Sequence, residues 1–75
     1  MQLYANVDGD SGVAAYECGP DSIAVEFTDG SCYEYTYGSC GVANCEEMKR
    51  LAASGDGLNS FINRNVRKAY SRKLR

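Results

Sequence analysis

Hydrophobic and polar residues alternate along the first half of the chain with the two-residue period of β-strands. Residues 13–18, 23–27 and 32–37 show this pattern, and turn sequences rich in glycine, aspartate, serine and proline separate them. Residues 1–11 lack a clear period and are predicted to form an irregular or weakly paired lead-in. The pattern therefore predicts a three-stranded antiparallel meander.

The length of the loop at residues 28–30 decides which side chains of the second and third strands share a face. A two-residue loop would set Val25 opposite Glu34, whereas a three-residue loop with Gly30 in the left-handed conformation sets Val25 opposite Tyr33. Only the longer loop, a G1 bulge, gathers the large apolar residues on one face. We therefore predict the longer loop, with these residues on the apolar face: Ile23, Val25, Phe27, Tyr33, Tyr35 and Tyr37.

The second half of the chain has the period of helices. Asn44 is predicted to be an N-cap, with Glu47 completing a capping box, and Gly55 is predicted to end this helix. A second helix is predicted from about Asn59 to Tyr70 or beyond. Its apolar side carries Leu58, Phe61, Ile62, Val66, Ala69 and Tyr70. Strands followed by helices predict an α+β fold, a three-stranded meander with two C-terminal helices packed on one face.

The size and composition of the chain are typical of a small globular domain. The 75 residues are 44% hydrophobic and 24% charged, and we expect residues 1–75 to form a single domain. No apolar run approaches the roughly 18 residues of a membrane span. The first residues have no basic region followed by a hydrophobic stretch, so we expect a cytoplasmic protein without membrane contact.

The four cysteines, Cys18, Cys32, Cys40 and Cys45, allow three interpretations: disulfides, a zinc site or free thiols. Disulfides are disfavoured in a reducing cytoplasm. Zinc is disfavoured because the chain has no histidine, only one loosely spaced pair, and two cysteines predicted to lie on opposite faces of the sheet. We therefore predict free, partly buried thiols, with no metal and no cofactor.

The sequence gives little indication of catalysis. Without histidine, the usual general base and the Cys-His and Ser-His pairs are missing. No phosphate-binding loop, dinucleotide fingerprint or nucleophile elbow occurs. Glu26 and Glu34 share a sheet face, where a solubility role is the simpler interpretation. We predict a protein that is not an enzyme.

Charge is unevenly distributed along the chain. All ten carboxylates precede residue 57, whereas six of the eight basic residues lie in residues 57–75. The predicted second helix therefore has a basic side, which contacts nucleic-acid phosphates, is only a solvated face, or is a partner to the acidic sheet. The candidate contacts are Asn63, Arg64, Asn65, Arg67, Lys68, Arg72 and Lys73, with Arg75 beside them.

The stripe Tyr33, Tyr35 and Tyr37 also has two interpretations. Aromatic residues on an open sheet can stack RNA bases, but aromatic residues under helices form a core. These tyrosines share a predicted face with the apolar residues that the helices must cover, so the core is favoured. The other sheet face is acidic and repels phosphate.

Two short motifs resemble the KTSC domain, a small module found at the C-terminus of some lysyl-tRNA synthetases and as stand-alone bacterial proteins. They are Tyr33-Glu34-Tyr35 and, further along, Phe-Ile-Asn-Arg-Asn-Val-Arg at residues 61–67 followed by Tyr70. The resemblance spans roughly residues 11–70 and assigns a motif or core role to Tyr33, Tyr35, Phe61, Val66 and Tyr70. The chain departs from the family between Tyr37 and Asn44, and the cysteines are not part of its pattern. The family's function is not established, and RNA binding has been suggested for it.

Two functional hypotheses follow. The first is a non-catalytic module that binds RNA or another nucleic acid through the basic C-terminal helix. The alternative is a protein-interaction or accessory module with no nucleic-acid role, whose partner is acidic or adds a strand to the sheet edge. The sequence specifies neither the ligand nor the oligomeric state.

Overall fold

A computed structural model describes residues 1–7 and 12–75. In this part of the chain the fold is α+β, with one antiparallel sheet and helices packed on it. The strands, neighbours in chain order, are β1 (Gln2–Leu3), β2 (Val13–Cys18), β3 (Ser22–Phe27), β4 (Cys32–Thr36) and β5 (Arg72–Lys73). The helices are α1 (Tyr37–Cys40), α2 (Val42–Ser54) and α3 (Leu58–Phe61), and α3 continues into a π-helical segment (Ile62–Val66).

The predicted α+β class and antiparallel sheet are confirmed, but the number of elements is wrong. The described residues form five strands and three helices instead of three strands and two helices. The first extra strand, β1, comes from the lead-in, which was predicted to be irregular or weakly paired and which pairs with β2 at two residues only. Residues 8–11 of this lead-in lie outside the described part. The second, β5, comes from residues that were predicted to continue the last helix.

The predicted register of the central hairpin is confirmed. Val25 lies opposite Tyr33, and Ile23 lies opposite Tyr35. The amide of Phe27 donates to the carbonyl of Ser31 at 2.8 Å, and Gly30 has φ +92°. Glycine adopts this φ without the steric cost that a Cβ would add. The loop therefore has the three residues that place the apolar side chains on one face.

The core lies between this face of the sheet and the helices. Ile23, Val25 and Tyr35 are each at most 1% exposed. Six helical residues pack into the same cluster: Cys45, Met48, Ala52, Leu58, Ile62 and Val66. The lead-in also contributes, since Tyr4 is buried and its hydroxyl accepts a hydrogen bond from the amide of Leu58 at 3.3 Å. The start of the chain is therefore part of the core.

The first long helix begins earlier than predicted. Gly41, not Asn44, is the N-cap of α2, and Asn44 lies inside the helix, where its side chain donates to the carbonyl of Cys40 at 2.9 Å. The capping box is on α1, where Thr36 accepts from the Ser39 amide at 3.1 Å and the Thr36 amide donates to the Ser39 hydroxyl. The third strand therefore ends at Thr36. The predicted end of α2 at Gly55, with φ 78°, is confirmed.

The last helix is shorter than predicted and ends near Val66 instead of Tyr70. The chain then turns back along β4, where the amide of Ser71 donates to the carbonyl of Glu34 at 2.6 Å and the amide of Leu74 donates to the carbonyl of Cys32 at 2.7 Å. These bonds satisfy the backbone groups that β4 would otherwise leave unpaired at the sheet edge. None of the helices in the described residues has the length and apolar character needed to span a bilayer.

Candidate nucleic-acid interface

The sheet face that points away from the helices carries two ion pairs between the last segment of the chain and the central strands. On this back face, Arg72 Nε lies 3.1 Å from Glu34 Oε1, and Arg75 forms an ion pair with Glu26. Arg72, Lys73 and Arg75 were predicted to lie on the basic side of the last helix, and this placement is wrong because Arg72 and Lys73 form β5 and Arg75 follows it. The back face thus neutralises two of its carboxylates with cations from the same chain.

A pocket of about 460 Å³ opens between the β3–β4 hairpin and the end of the π-helical segment. We call it the tyrosine pocket, and it is lined by Gly12, Phe27, Thr28, Asp29, Ser31, Tyr33, Tyr35, Ile62, Asn63, Arg67 and Tyr70. The shortened helix creates it, because the chain beyond Val66 swings toward the sheet and brings Tyr70 over the tyrosines of β4.

Three tyrosine rings form the aromatic part of the pocket. The Tyr70 ring lies 4.7 Å from that of Tyr33 at an interplanar angle of 45°, and 6.4 Å from that of Tyr35 at 87°. Tyr35 is 1% exposed and serves as the floor, whereas Tyr70 is 40% exposed and Tyr33 is half-buried. The core interpretation of the tyrosine stripe is therefore correct for Tyr35, while Tyr33 also reaches a surface that a ligand can contact.

The rim of the tyrosine pocket is polar. Asp29 Oδ1 accepts from the Ser31 amide at 2.9 Å and from the Ser31 hydroxyl at 2.6 Å. These two hydrogen bonds lower the pKa of the Asp29 carboxyl below its ordinary value, so Asp29 is ionised at neutral pH. Asn63 and Arg67, four residues apart on the last helical turns, line the opposite side. Donors from the last helical turns and an acceptor from the hairpin therefore line the same pocket.

Arg67 lines this rim, Lys73 lies over the ring of Tyr33, and Arg64 and Lys68 directly follow the lining residues Asn63 and Arg67 in the sequence. We call these four cations the cationic corner: Arg64, Arg67, Lys68 and Lys73. All four are exposed, and Lys73 Nζ lies 5.9 Å from the centre of the Tyr33 ring. Within residues 1–7 and 12–75, no carboxylate forms an ion pair with any of them. They are thus available to an anionic ligand, in contrast to Arg72 and Arg75 on the back face.

The structure brings only some of the predicted site residues to the tyrosine pocket. Asn63 and Arg67 line the pocket, but the Asn65 side chain donates to the carbonyl of Phe61 at 3.2 Å, along its own helix. Sequence reasoning missed Asp29 and Ser31, which it treated only as turn residues. Asp29 and Ser31 become part of a site only because the hairpin lies next to the end of the last helix. No local pattern in the sequence indicates that contact.

The thiols have the mixed burial expected of free cysteines. Cys32 and Cys45 are buried, Cys40 is partly buried and Cys18 is exposed. Burial raises the pKa of each of the four thiols, which keeps them protonated at neutral pH. Cys18 pairs with Ile23 and Cys32 with Glu26, so the prediction that they lie on opposite faces is confirmed. No cluster of potential metal ligands occurs among the described residues.

Comparison with known proteins gave no match to a family model, to a curated protein or to a solved structure. The resemblance to the KTSC domain therefore stays a prediction that rests on the residues that carry it. The geometry of the tyrosine pocket and the cationic corner is the basis for the functional proposal.

Proposed function

We propose that this protein is a cytoplasmic, non-catalytic module that binds single-stranded nucleic acid, and RNA in particular. The observation that carries the proposal is the placement of four cations without carboxylate partners, among the described residues, next to an open pocket with tyrosine rings. Single-strand binding proteins combine these two elements, since cations follow the phosphates and aromatic rings stack the bases.

The distribution of charge supports a local contact. The chain has a net charge of −2, so attraction to a polyanion must come from the cationic corner and not from the molecule as a whole. Two of the back-face carboxylates, Glu26 and Glu34, are paired with Arg75 and Arg72, which reduces their repulsion of phosphate. A short strand that crosses the corner would meet cations on the helix end and Lys73 on β5.

The KTSC resemblance agrees with this choice of surface. Three of its five motif residues, Tyr33, Tyr35 and Tyr70, line the pocket. Of the other two, Val66 belongs to the hydrophobic core cluster and Phe61 packs against it. The suggested link of that family to RNA therefore supports a role for the pocket.

The proposal is tested by the salt dependence of binding to a short, fluorescently labelled single-stranded RNA, followed by fluorescence anisotropy. Each contacted phosphate on a single strand changes the slope of log affinity against log salt by about −0.7. Four contacts from the cationic corner would give a slope of about −3. Failure to bind RNA even at low salt would refute the proposal.

A matched pair of variants locates the contact. Arg67→Gln removes a cation at the pocket rim and is expected to make the slope shallower by about 0.7. Arg50→Gln removes a cation of the same type on α2, where Arg50 pairs with Glu47, and is expected to leave the slope unchanged. Equal effects of the two variants would mean that the contact is not at the corner.

The alternative is a protein-interaction module. Its supporting observation is an exposed apolar group near the other sheet edge, where Leu3 of β1 is 81% exposed, Val7 71% and Met1 52%. Under this hypothesis a specific protein would remain bound to the chain after nuclease treatment, and Leu3→Ser would release it. Loss of all partners on nuclease treatment would favour the nucleic-acid proposal instead.

A further inference from the structure

We infer that the tyrosine pocket is a base-binding subsite that accepts one nucleobase and prefers guanine. This inference rests on the proposed function, because it assigns one nucleotide of the bound strand to a particular place on the protein. The argument depends on three observations: the rings of Tyr33 and Tyr70, the anchored carboxylate of Asp29 and the cation of Arg67.

The first observation is the exposed aromatic wall. The tilted contact between Tyr33 and Tyr70 leaves Tyr70 40% exposed beside the pocket, while Tyr35 closes the floor. The volume of about 460 Å³ lies within the range of small-molecule sites, which begins at roughly 300 Å³. A planar base has the shape that stacks on such a wall, and stacking on aromatic side chains is a recurrent mode of single-strand recognition.

The second observation concerns the acceptor at the rim. Asp29 Oδ1 is occupied by the amide and the hydroxyl of Ser31, which fixes the orientation of the carboxylate. Apart from the amide of Asp29 itself, which also hydrogen-bonds its carboxylate, no described residue donates to Oδ2. An ionised carboxylate only accepts hydrogen bonds, so it selects a ligand edge that donates.

Guanine has the edge that fits this acceptor. Its Watson–Crick edge carries two adjacent donors, the N1 imino and the N2 amino groups. Adenine and cytosine place a ring-nitrogen acceptor beside their amino donor, and uracil places carbonyls on both sides of its imino group, so each sets a lone pair close to the Asp29 carboxylate. The O6 acceptor of guanine can in turn receive a hydrogen bond from the Asn63 amide across the pocket.

The third observation is the position of Arg67, which lines the pocket with Asn63 and has no carboxylate partner among the described residues. A base seated on the tyrosines leaves its phosphate near this guanidinium. Because hydrogen bonds from Ser31 lower the Asp29 pKa, the carboxylate stays charged through mildly acidic pH. The guanine preference is therefore expected to be constant from neutral pH down to the ordinary range of aspartate titration and to fall only below it.

The experiment compares short oligouridines that carry guanine, adenine, cytosine or uracil at one central position, at a single low salt concentration. We expect the guanine oligomer to bind about tenfold more tightly than the uracil oligomer, as for one well-made base contact. Equal affinities for the four oligomers would overturn the inference while leaving the proposed function intact.

Asp29→Asn tests the acceptor with little change of shape. The amide oxygen can still accept from Ser31, so the turn is retained, but an NH₂ group replaces the free carboxylate oxygen. We expect this variant to lose the guanine preference. Asp56→Asn, the same substitution in the exposed loop between α2 and α3, is the control and is expected to keep it. An unchanged preference in Asp29→Asn would contradict the assignment of Asp29.

Tyr70→Ala tests the stacking wall and is expected to weaken binding of the guanine oligomer about tenfold. A mononucleotide experiment separates the subsite from the strand. Guanosine 5′-monophosphate is expected to shift the aromatic NMR signals of Tyr33 and Tyr70 more than uridine 5′-monophosphate does. Mononucleotide binding without oligomer binding would identify the free nucleotide as the ligand, and the absence of both would overturn the inference together with the proposed function.

Discussion

The basic residues near the end of the chain lie in two regions, one with carboxylate partners and one without them among the described residues. On the back face of the sheet, Arg72 and Arg75 are held by Glu34 and Glu26. In the cationic corner, Arg64, Arg67, Lys68 and Lys73 form no ion pair with any carboxylate among residues 1–7 and 12–75. In sequence the two groups overlap, since Lys73 directly follows Arg72, and the difference is produced by the fold.

This comparison shows why a count of basic residues overestimates a binding surface. An arginine that is already paired has to give up its carboxylate before it can contact a phosphate, and the carboxylate left behind repels that phosphate. An unpaired cation beside an aromatic ring has neither cost. The alternation of side chains along β5 therefore separates a structural arginine, Arg72, from a candidate contact, Lys73.

Strand β4 is the common boundary of the two regions. Tyr33 and Tyr35 point to the pocket side, whereas Cys32 and Glu34 point to the back face. Both regions therefore depend on the same strand, although they use opposite sides of it. Substitutions on the two sides of β4, or on its partner β5, can test whether the regions are independent.

The largest effect is expected from Tyr35→Ala, because this ring is both the pocket floor and part of the core at 1% exposure. Truncation of a buried aromatic side chain costs about 3 kcal/mol or more, a large part of the stability of a small domain. Urea denaturation measures the loss. Tyr35→Phe keeps the ring and is the control, expected to change stability by less than about 1 kcal/mol. A mild effect of Tyr35→Ala would mean that the pocket and the core do not share this residue.

The central hairpin could be predicted from sequence because its determinants are local. The loop sequence at residues 28–30 and the alternation on either side of it fix the register, since any slip would move every apolar side chain to the other face. The apolar side of the sheet followed from the same alternation, and the α+β class followed from the change to a helical period in the second half of the chain. The opposite orientations of Cys18 and Cys32 also followed from it.

The edges of the sheet could not be predicted in this way. The apolar period of the last helix continues to Tyr70, so helix was the natural prediction, yet that residue packs on Tyr33 after the helix has ended. The end of the helix before Tyr70 depends on the pairing of residues 72–73 with β4, which is far away in the sequence. A strand of two residues gives no periodic signal from which this pairing could be predicted. The candidate site could not be predicted for the same reason, because Asp29 lines the pocket only where the hairpin lies next to Asn63 and Arg67.

An intermediate effect is expected when β5 is detached from β4. Leu74→Pro removes the closer of the two amides that donate to the Cys32 carbonyl, and we expect a loss of about 1 kcal/mol with faster alkylation of Cys32, which is 1% exposed in the intact fold. Mass spectrometry of alkylated protein measures this, with the core thiol of Cys45 as the reference for global unfolding. Leu74→Ala keeps the amide and should protect Cys32 as before. Equal acceleration at Cys32 and Cys45 would show that β5 opens only when the whole domain unfolds.

The smallest effect is expected from the back-face ion pair itself, and it is the most direct test of the comparison. Arg72→Ala, Glu34→Ala and the double variant form a cycle whose coupling energy should be about 0.2–1 kcal/mol, as for other solvent-exposed pairs. Added salt should reduce this coupling.

The same Arg72→Ala protein is expected to keep the salt slope of RNA binding, whereas Lys73→Ala, one residue away on the other side of β5, should make the slope shallower by about 0.7. If both variants changed the slope equally, the paired arginine would be as available to phosphate as the unpaired lysine, and the division of this basic segment into a structural part and a binding part would be wrong.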